Sequence, residues 1–229
     1  MTIFTSTISG FSGLGGGAIL MGFMGYAFSP STLIPIHGAV QAGSNLSRFA
    51  FSAKYINWRI IAEYVCGAII GASIGLNVVV VLSERILWSS LGSFLIVTTW
   101  LPRIFHSSKI PLRFLGVGAI STFLGLFVGI TGPLIHPVLL RENLGKDAFI
   151  GTEAACAGIT HIAKLFVFAY VGFAWRDHLA LMSLMIVGAV LGSFMGKLIL
   201  ARVSDGNFKL IIKCAVTALA MQMIWRGIF

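Results

Sequence analysis

Gly13-Leu14-Gly15-Gly16-Gly17 stands in the middle of an apolar segment that runs from about Ile3 to Phe28. Three consecutive glycines oppose a continuous helix, because each costs about 0.8–1 kcal/mol relative to alanine in a helix interior. The segment is therefore expected to break at depth. A second stretch, Gly129-Ile130-Thr131-Gly132-Pro133, lies in an apolar segment from about Leu115 to Leu140, and Gly129 and Gly132 follow Gly13 and Gly16 at a common offset of 116. Breaks at membrane depth are tolerated only where protein or a water-filled cavity satisfies the exposed backbone. Two breaks at matching positions are thus expected to meet near the midplane, at an interface between two halves.

The composition makes lipid the relevant surrounding. The 229 residues are 57% hydrophobic and only 10% charged, and mean hydropathy is +0.96, whereas soluble domains carry about 25% charged residues. This is an all-α integral membrane protein, read as one transmembrane domain over residues 1–229. The net charge of +9 could point to nucleic acid, but in so apolar a chain it is expected from positively charged cytoplasmic loops, and no nucleic-acid partner is expected. Cys66, Cys156 and Cys214 form no CxxC or Cys/His pattern, and the five histidines contain no i,i+4 pair. Buried single thiols, no metal and no cofactor are therefore expected. Met1 to Ser9 has no positive n-region, so no cleaved leader is expected.

Further along the chain, Ser29-Pro30-Ser31 marks a turn. A second segment runs from about Thr32 to Ser52 and carries His37, Gln41, Ser44, Asn45 and Arg48, all on one helical face. That face is expected to point into the protein, since polar groups facing hydrocarbon are costly. Lys54 to Arg59 is a basic connection with Tyr55 and Trp58 as interfacial anchors. The third segment, from Glu63 to about Leu82, contains Gly67, Gly71 and Gly75, a close-packing face for another helix. Ile86 to Leu101 is a fourth span. Residues 103–113 hold Arg103, His106, Lys109 and Arg113 with no acid, and form the expected cytoplasmic linker between repeat one (about 1–102) and repeat two (about 114–229).

The second half follows the same plan. Thr152 to Val171 carries Thr152, Glu153, Cys156, Thr160, His161 and Lys164 on a polar face, Trp175-Arg176 echoes Trp58-Arg59, and Gly188, Gly192 and Gly196 reproduce the glycine ladder. The architecture is two repeats of four hydrophobic segments. Their relative orientation follows from charge. If all eight segments cross, seven loop cations lie on one side and five on the other. If the first and fifth segments are re-entrant, the repeats are inverted: Lys54, Arg59, Arg103, Lys109, Arg113, Arg141, Lys146, Arg202 and Lys209 share one side, and only Arg85, Arg176 and Arg226 the other. Nine against three obeys the positive-inside rule better, so inverted repeats with broken or re-entrant first and fifth segments are expected, with both termini outside.

Broken helices present free backbone N–H groups and positive dipole ends, which favour an anion. Arg48 and Lys164 match at the offset of 116 and end their polar faces. The expected binding site for a small anion therefore combines the backbone of Gly15, Gly16, Gly17, Thr131 and Gly132 with Arg48 and Lys164, and with hydrogen bonds from Gln41, Asn45, Thr152 and His161. Glu153 either forms an ion pair with Lys164 or Arg48 or acts as a proton-coupling carboxylate. Each feature has a plainer alternative: glycines that only permit tight packing, cations that snorkel to headgroups, histidines that are hydrogen-bonded packing residues.

The GLGGG-type break early in each half, the polar second segment with its Gly151-Thr152 start, the Gly67/Gly71/Gly75 ladder and the basic central linker together resemble the TauE/SafE family of sulfite and organosulfonate exporters. The resemblance covers nearly the whole chain, with Gly13 to Gly17, Gly129 to Pro133 and Gly151-Thr152 at the matching motifs. In the first half Ile36-His37-Gly38 stands where a Gly-Thr would be expected. The resemblance implies an inner-membrane carrier for small sulfur-containing anions such as sulfite, sulfoacetate or related sulfonates.

The leading expectation is thus an alternating-access secondary transporter, multi-pass in the bilayer, with no enzymatic activity; a homodimer is one option for its assembly. A passive anion channel would need the same positive site without a coupling carboxylate. An intramembrane enzyme would use His37, His161 and Glu153, but no Ser-Lys, HExxH or paired-aspartate motif supports one. A purely structural subunit conflicts with two polar faces that share one internal symmetry.

Overall fold

In a computed structural model, residues 1–12, 16–79, 83–100, 112–128, 132–199 and 206–228 are described, and the described residues are helical without strand. The first apolar segment carries α1 (Thr2–Ser12) and α2 (Gly16–Ala27), and the fifth carries α6 (Arg113–Val128) and α7 (Gly132–Leu139). The intervening residues 13–15 and 129–131, with Gly15 and Thr131, lie outside the description, as does most of the basic linker. The remaining helices are α3 (Pro30–Ser52), α4 (Trp58–Val79), α5 (Glu84–Trp100), α8 (Lys146–Tyr170), α9 (Leu179–Ile199) and α10 (Gly206–Ile228).

Local chemistry explains several boundaries. Pro30 occupies the start of α3, where a missing N–H is harmless. Asn143 takes a left-handed conformation ahead of α8, and Asp147 in the first turn of α8 complements its dipole. At the other end of α8, Gly172 has φ +84°, and Gly172 N–H bonds Ala169 O while Phe173 N–H bonds Phe168 O. These are the two bonds of a Schellman cap, which needs a residue without Cβ strain at that position.

Among the described residues, three helices are long and apolar enough to cross a membrane, namely 58–78, 147–170 and 175–196. Of these, α9 exposes Leu184, Val187, Leu191, Phe194 and Leu198, an apolar stripe at helical spacing whose natural surrounding is lipid. Two cores lie inward. The larger joins α2, α3, α5 and α10 through Met21, Leu33, Leu91 and Met223; the smaller joins α4, α7 and α8 through Tyr64, Ile135 and Cys156.

Contacts fix the relative directions of the helices. α3 and α8 run antiparallel: Gly151 packs on Ser52, Gly158 on Asn45, and Gly38 under Lys164. α5 and α10 also run antiparallel, with Gly227 against Arg85 and Ser89 and Gly92 against Ala220 and Ile224. α4 and α6 run parallel, with Gly67 on Leu115, Gly71 on Ala119 and Gly75 on Phe123 and Leu126. α9 and α1 do the same, with Gly188 on Ile3 and Gly192 on Ile3 and Ser6. Exchanging α1–α5 for α6–α10, in order, turns each of these pairings into a member of the same set. Within the first segment, Gly16 lies against Thr5 and Ser9 of α1.

The glycine ladders are therefore packing faces. Each docks on the first helix of the other half, and a Cβ at Gly67, Gly71 or Gly192 would strike backbone. Gly71→Leu and Gly192→Leu should each destabilise the detergent-purified protein by about 1–3 kcal/mol or more, read as a lowered melting temperature. Gly116→Ala, where a Cβ meets nothing within 4 Å, should be without loss.

Candidate functional site

The polar face of α3 and that of α8 meet in the interior. His37, Ser44, Asn45 and Arg48 on α3 are buried, as are Thr152, Glu153, Cys156, Thr160, His161 and Lys164 on α8, while Gln41 is partly buried. Because the two helices run antiparallel, the facing residues separate into two clusters rather than one.

The first cluster gathers at the start of α2. His37 Nε2 donates to the carbonyl of Gly17 at 3.0 Å, and a Cβ at Gly17 would strike the amide of Gln41. These α3 side chains thus sit at the helix end whose N–H groups lack intrahelical acceptors and whose dipole is positive. The His161 ring meets that of His37 edge-on, with centroids 6.2 Å apart. Lys164 is 0% exposed, and its methylenes cross Gly38, where a Cβ would fall 2.7 Å from Cδ. Gly38 is what lets the lysine lie there. Lys164 Nζ, His37 Nδ1 and His161 Nδ1 are buried and have no hydrogen-bond partner among the described residues.

The second cluster lies further along the seam. Arg48 is 9% exposed and donates through Nη2 to Asn45 Oδ1 and through Nη1 to the carbonyl of Ser9. Ser9 is in the last turn of α1, where carbonyls lack helical donors, so the guanidinium complements that negative end. Glu153 is 2% exposed and within electrostatic range of Arg48. Its hydrogen-bonded partner is His136 of α7, with Nδ1 at 3.0 Å from Oε1, and Oε2 has none. The sequence reading set Glu153 against Lys164 or Arg48 and missed His136; nothing in a lone histidine one turn into a short helix advertised the pairing. Neither cation snorkels, since both are buried.

Arg48 and Lys164 stand well apart along the seam. The α3 positions level with them, Arg48 itself and the Gly38 beneath Lys164, are ten residues apart, about 15 Å along a helix. Other expected ligands are engaged elsewhere. The Thr152 hydroxyl accepts from the backbone N–H of Asn57 at 3.1 Å, and Asn57 Oδ1 in turn accepts from Ile60 N–H at the start of α4. Thr160 Oγ1 is shared between Tyr64 Oη at 2.7 Å and Thr122 Oγ1 at 3.0 Å, tying α8 to α4 and α6. Gly132 opens α7 and is half-buried. Arg113 and Glu142 form an ion pair between the two ends of the α6–α7 segment. No group of three or more metal-ligating side chains occurs among the described residues.

Apolar helices with exposed hydrophobic stripes around a buried polar seam are those of a membrane protein. The family model for the TauE/SafE sulfite exporters matches residues 1–223. The chain belongs to that transporter family, whose role is the export of sulfite and related sulfur anions. No curated protein and no solved structure matches it.

The two hydroxyl joints should be structural. Thr152→Val removes a part-buried hydrogen bond and Tyr64→Phe a buried one, and each should lower stability by about 1 kcal/mol. Neither substitution should change whatever shift in melting temperature sulfite produces in the unaltered protein; a thermal scan with and without sulfite checks this.

Proposed function

We propose that the chain is a secondary carrier that exports small sulfur-containing anions, such as sulfite, sulfoacetate or related sulfonates, across the plasma membrane by alternating access. The observation that carries this reading is Lys164. A buried ammonium without a partner is costly, and here it lies among His37, Gln41 and His161 beside the positive end of α2. A compact oxyanion supplies the missing charge and accepts hydrogen bonds from the ammonium, from His161 and from the Gln41 amide, while the His37 N–H stays committed to the Gly17 carbonyl. Arg48 is tied to Ser9 and Asn45, so it supports the site electrostatically and holds α1 in place, and Glu153 beside His136 is placed to couple transport to protons.

Inverted repeats are supported by the packing directions. The equivalent helices α3 and α8 run antiparallel, as do α5 and α10, so the two-fold relating the halves lies across the helices and in the membrane plane. Re-entrant first and fifth segments are supported by two contacts. Gly16 lies against Thr5, although about 16 Å would separate them along one continuous helix, and Arg113 and Glu142 pair across the ends of the fifth segment. With that topology Lys54, Arg59, Arg113, Arg141 and Lys146 share the cytoplasmic side.

Reconstituted vesicles test the reading. Protein-dependent sulfite flux should fall at least 100-fold in Lys164→Met, and flux at the unaltered rate in that variant would overturn the site. Glu153→Gln should abolish acceleration by a proton gradient while leaving sulfite exchange; flux indifferent both to the gradient and to Glu153→Gln would instead identify a passive channel.

A further inference from the structure

A cavity of ≈350 Å³ lies on the face of the protein formed by the α2–α3 turn, the start of α5 and the end of α8. Its rim carries Ser31, Glu84 and Gly172, and Ser31 Oγ donates to Glu84 Oε1 at 3.0 Å. This end of the helices is opposite to the one that bears Lys54 and Arg59, because α3 starts at the rim and ends at Lys54's turn. On the carrier reading the cavity therefore faces outward.

Its floor is made by Ile34, Leu126 and Phe168, from α3, α6 and α8, and all three are buried. Ile34 precedes His37 by three residues and Phe168 follows Lys164 by four, one helical turn in each case, about 4.5–6 Å along the axis. The floor residues Ile34 and Phe168 thus lie one helical turn from His37 on α3 and from Lys164 on α8, respectively. The Schellman cap at Gly172 fixes the turn immediately after Phe168 and so holds the outer edge of that floor.

We propose that this cavity is the outer vestibule of the carrier, and that Ile34, Leu126 and Phe168 form the barrier that closes the Lys164 site from it. The proposal rests on the carrier reading. An anion leaving Lys164 passes between these three side chains, and the Glu84 carboxylate at the mouth lowers the local anion concentration, which suits release rather than capture. Phe168 is the largest of the three.

Cysteine accessibility in right-side-out membrane vesicles tests this without any substrate. In a background of Cys66→Ser, Cys156→Ala and Cys214→Ser, Val171→Cys at the cavity wall should react with a membrane-impermeant methanethiosulfonate. Gln41→Cys, beyond the barrier, should react at least tenfold more slowly. Adding Phe168→Ala should raise the rate at Gln41→Cys at least tenfold and leave that at Val171→Cys unchanged; Ile34→Ala serves as the second barrier variant should Phe168→Ala fail to insert. Reaction of Val171→Cys only in inverted vesicles, or a Gln41→Cys rate indifferent to both barrier variants, would overturn the proposal. Sulfite-induced stabilisation, measured on the same preparations, reports separately on the carrier reading.

Discussion

An ammonium group held in a protein interior is stable only if something nearby compensates its charge, and Lys164 is the point at which this chain meets that constraint. Its side chain reaches the interior because Gly38 leaves room for it, and Gly38 is opposite because α3 and α8 cross antiparallel with their polar faces together. Beside it lies the His161 imidazole, and His37, bonded to the Gly17 carbonyl, holds the positive start of α2 against α3. On the proposed carrier reading, a bound anion is what compensates this charge. What stabilises the scaffold is elsewhere, in the two apolar cores and in the glycine-lined contacts.

Those contacts connect stability to mechanism. Each glycine ladder clamps the first helix of the opposite half, so α1 is carried by α9 and α6 by α4. The Lys164 cluster is built from α2, α3 and α8, which belong to different halves. Any relative movement of the halves therefore changes the site, and the long helices transmit it directly. Hydroxyl joints such as Thr160 with Tyr64 and Thr122 hold α8 to α4 and α6, while Lys164 Nζ on the α3–α8 seam keeps no hydrogen-bond partner among the described residues.

Much of this was legible in the sequence. Glycine every fourth residue has few uses besides close helix packing, and the ladders at Gly67 and Gly188 serve that use. Polar residues spaced 37, 41, 44/45 and 48 have to face inward in so apolar a chain, and they do. The common offset of 116 suggests the duplication on which the inverted-repeat proposal rests. The pairing across the seam was hidden, because helical periodicity identifies a face and is silent about the direction of its neighbour. Antiparallel crossing sends Arg48 toward Glu153 and Lys164 toward His37, so the two cations stand apart where a shared offset suggested convergence. The hydrogen bond from Asn57 to Thr152 joins residues far apart in sequence and has no local signal. His136 became visible only when α7 was set against α8.

The most direct test of the account is thermal unfolding of the purified protein and of Lys164→Met, each with and without sulfite. Removal of an uncompensated buried charge should leave Lys164→Met at least as stable as the unaltered protein without ligand, and sulfite should raise the melting temperature of the unaltered protein alone. A Lys164→Met protein that is markedly less stable and still gains stability from sulfite would contradict it, placing the anion elsewhere and giving Lys164 a purely structural role.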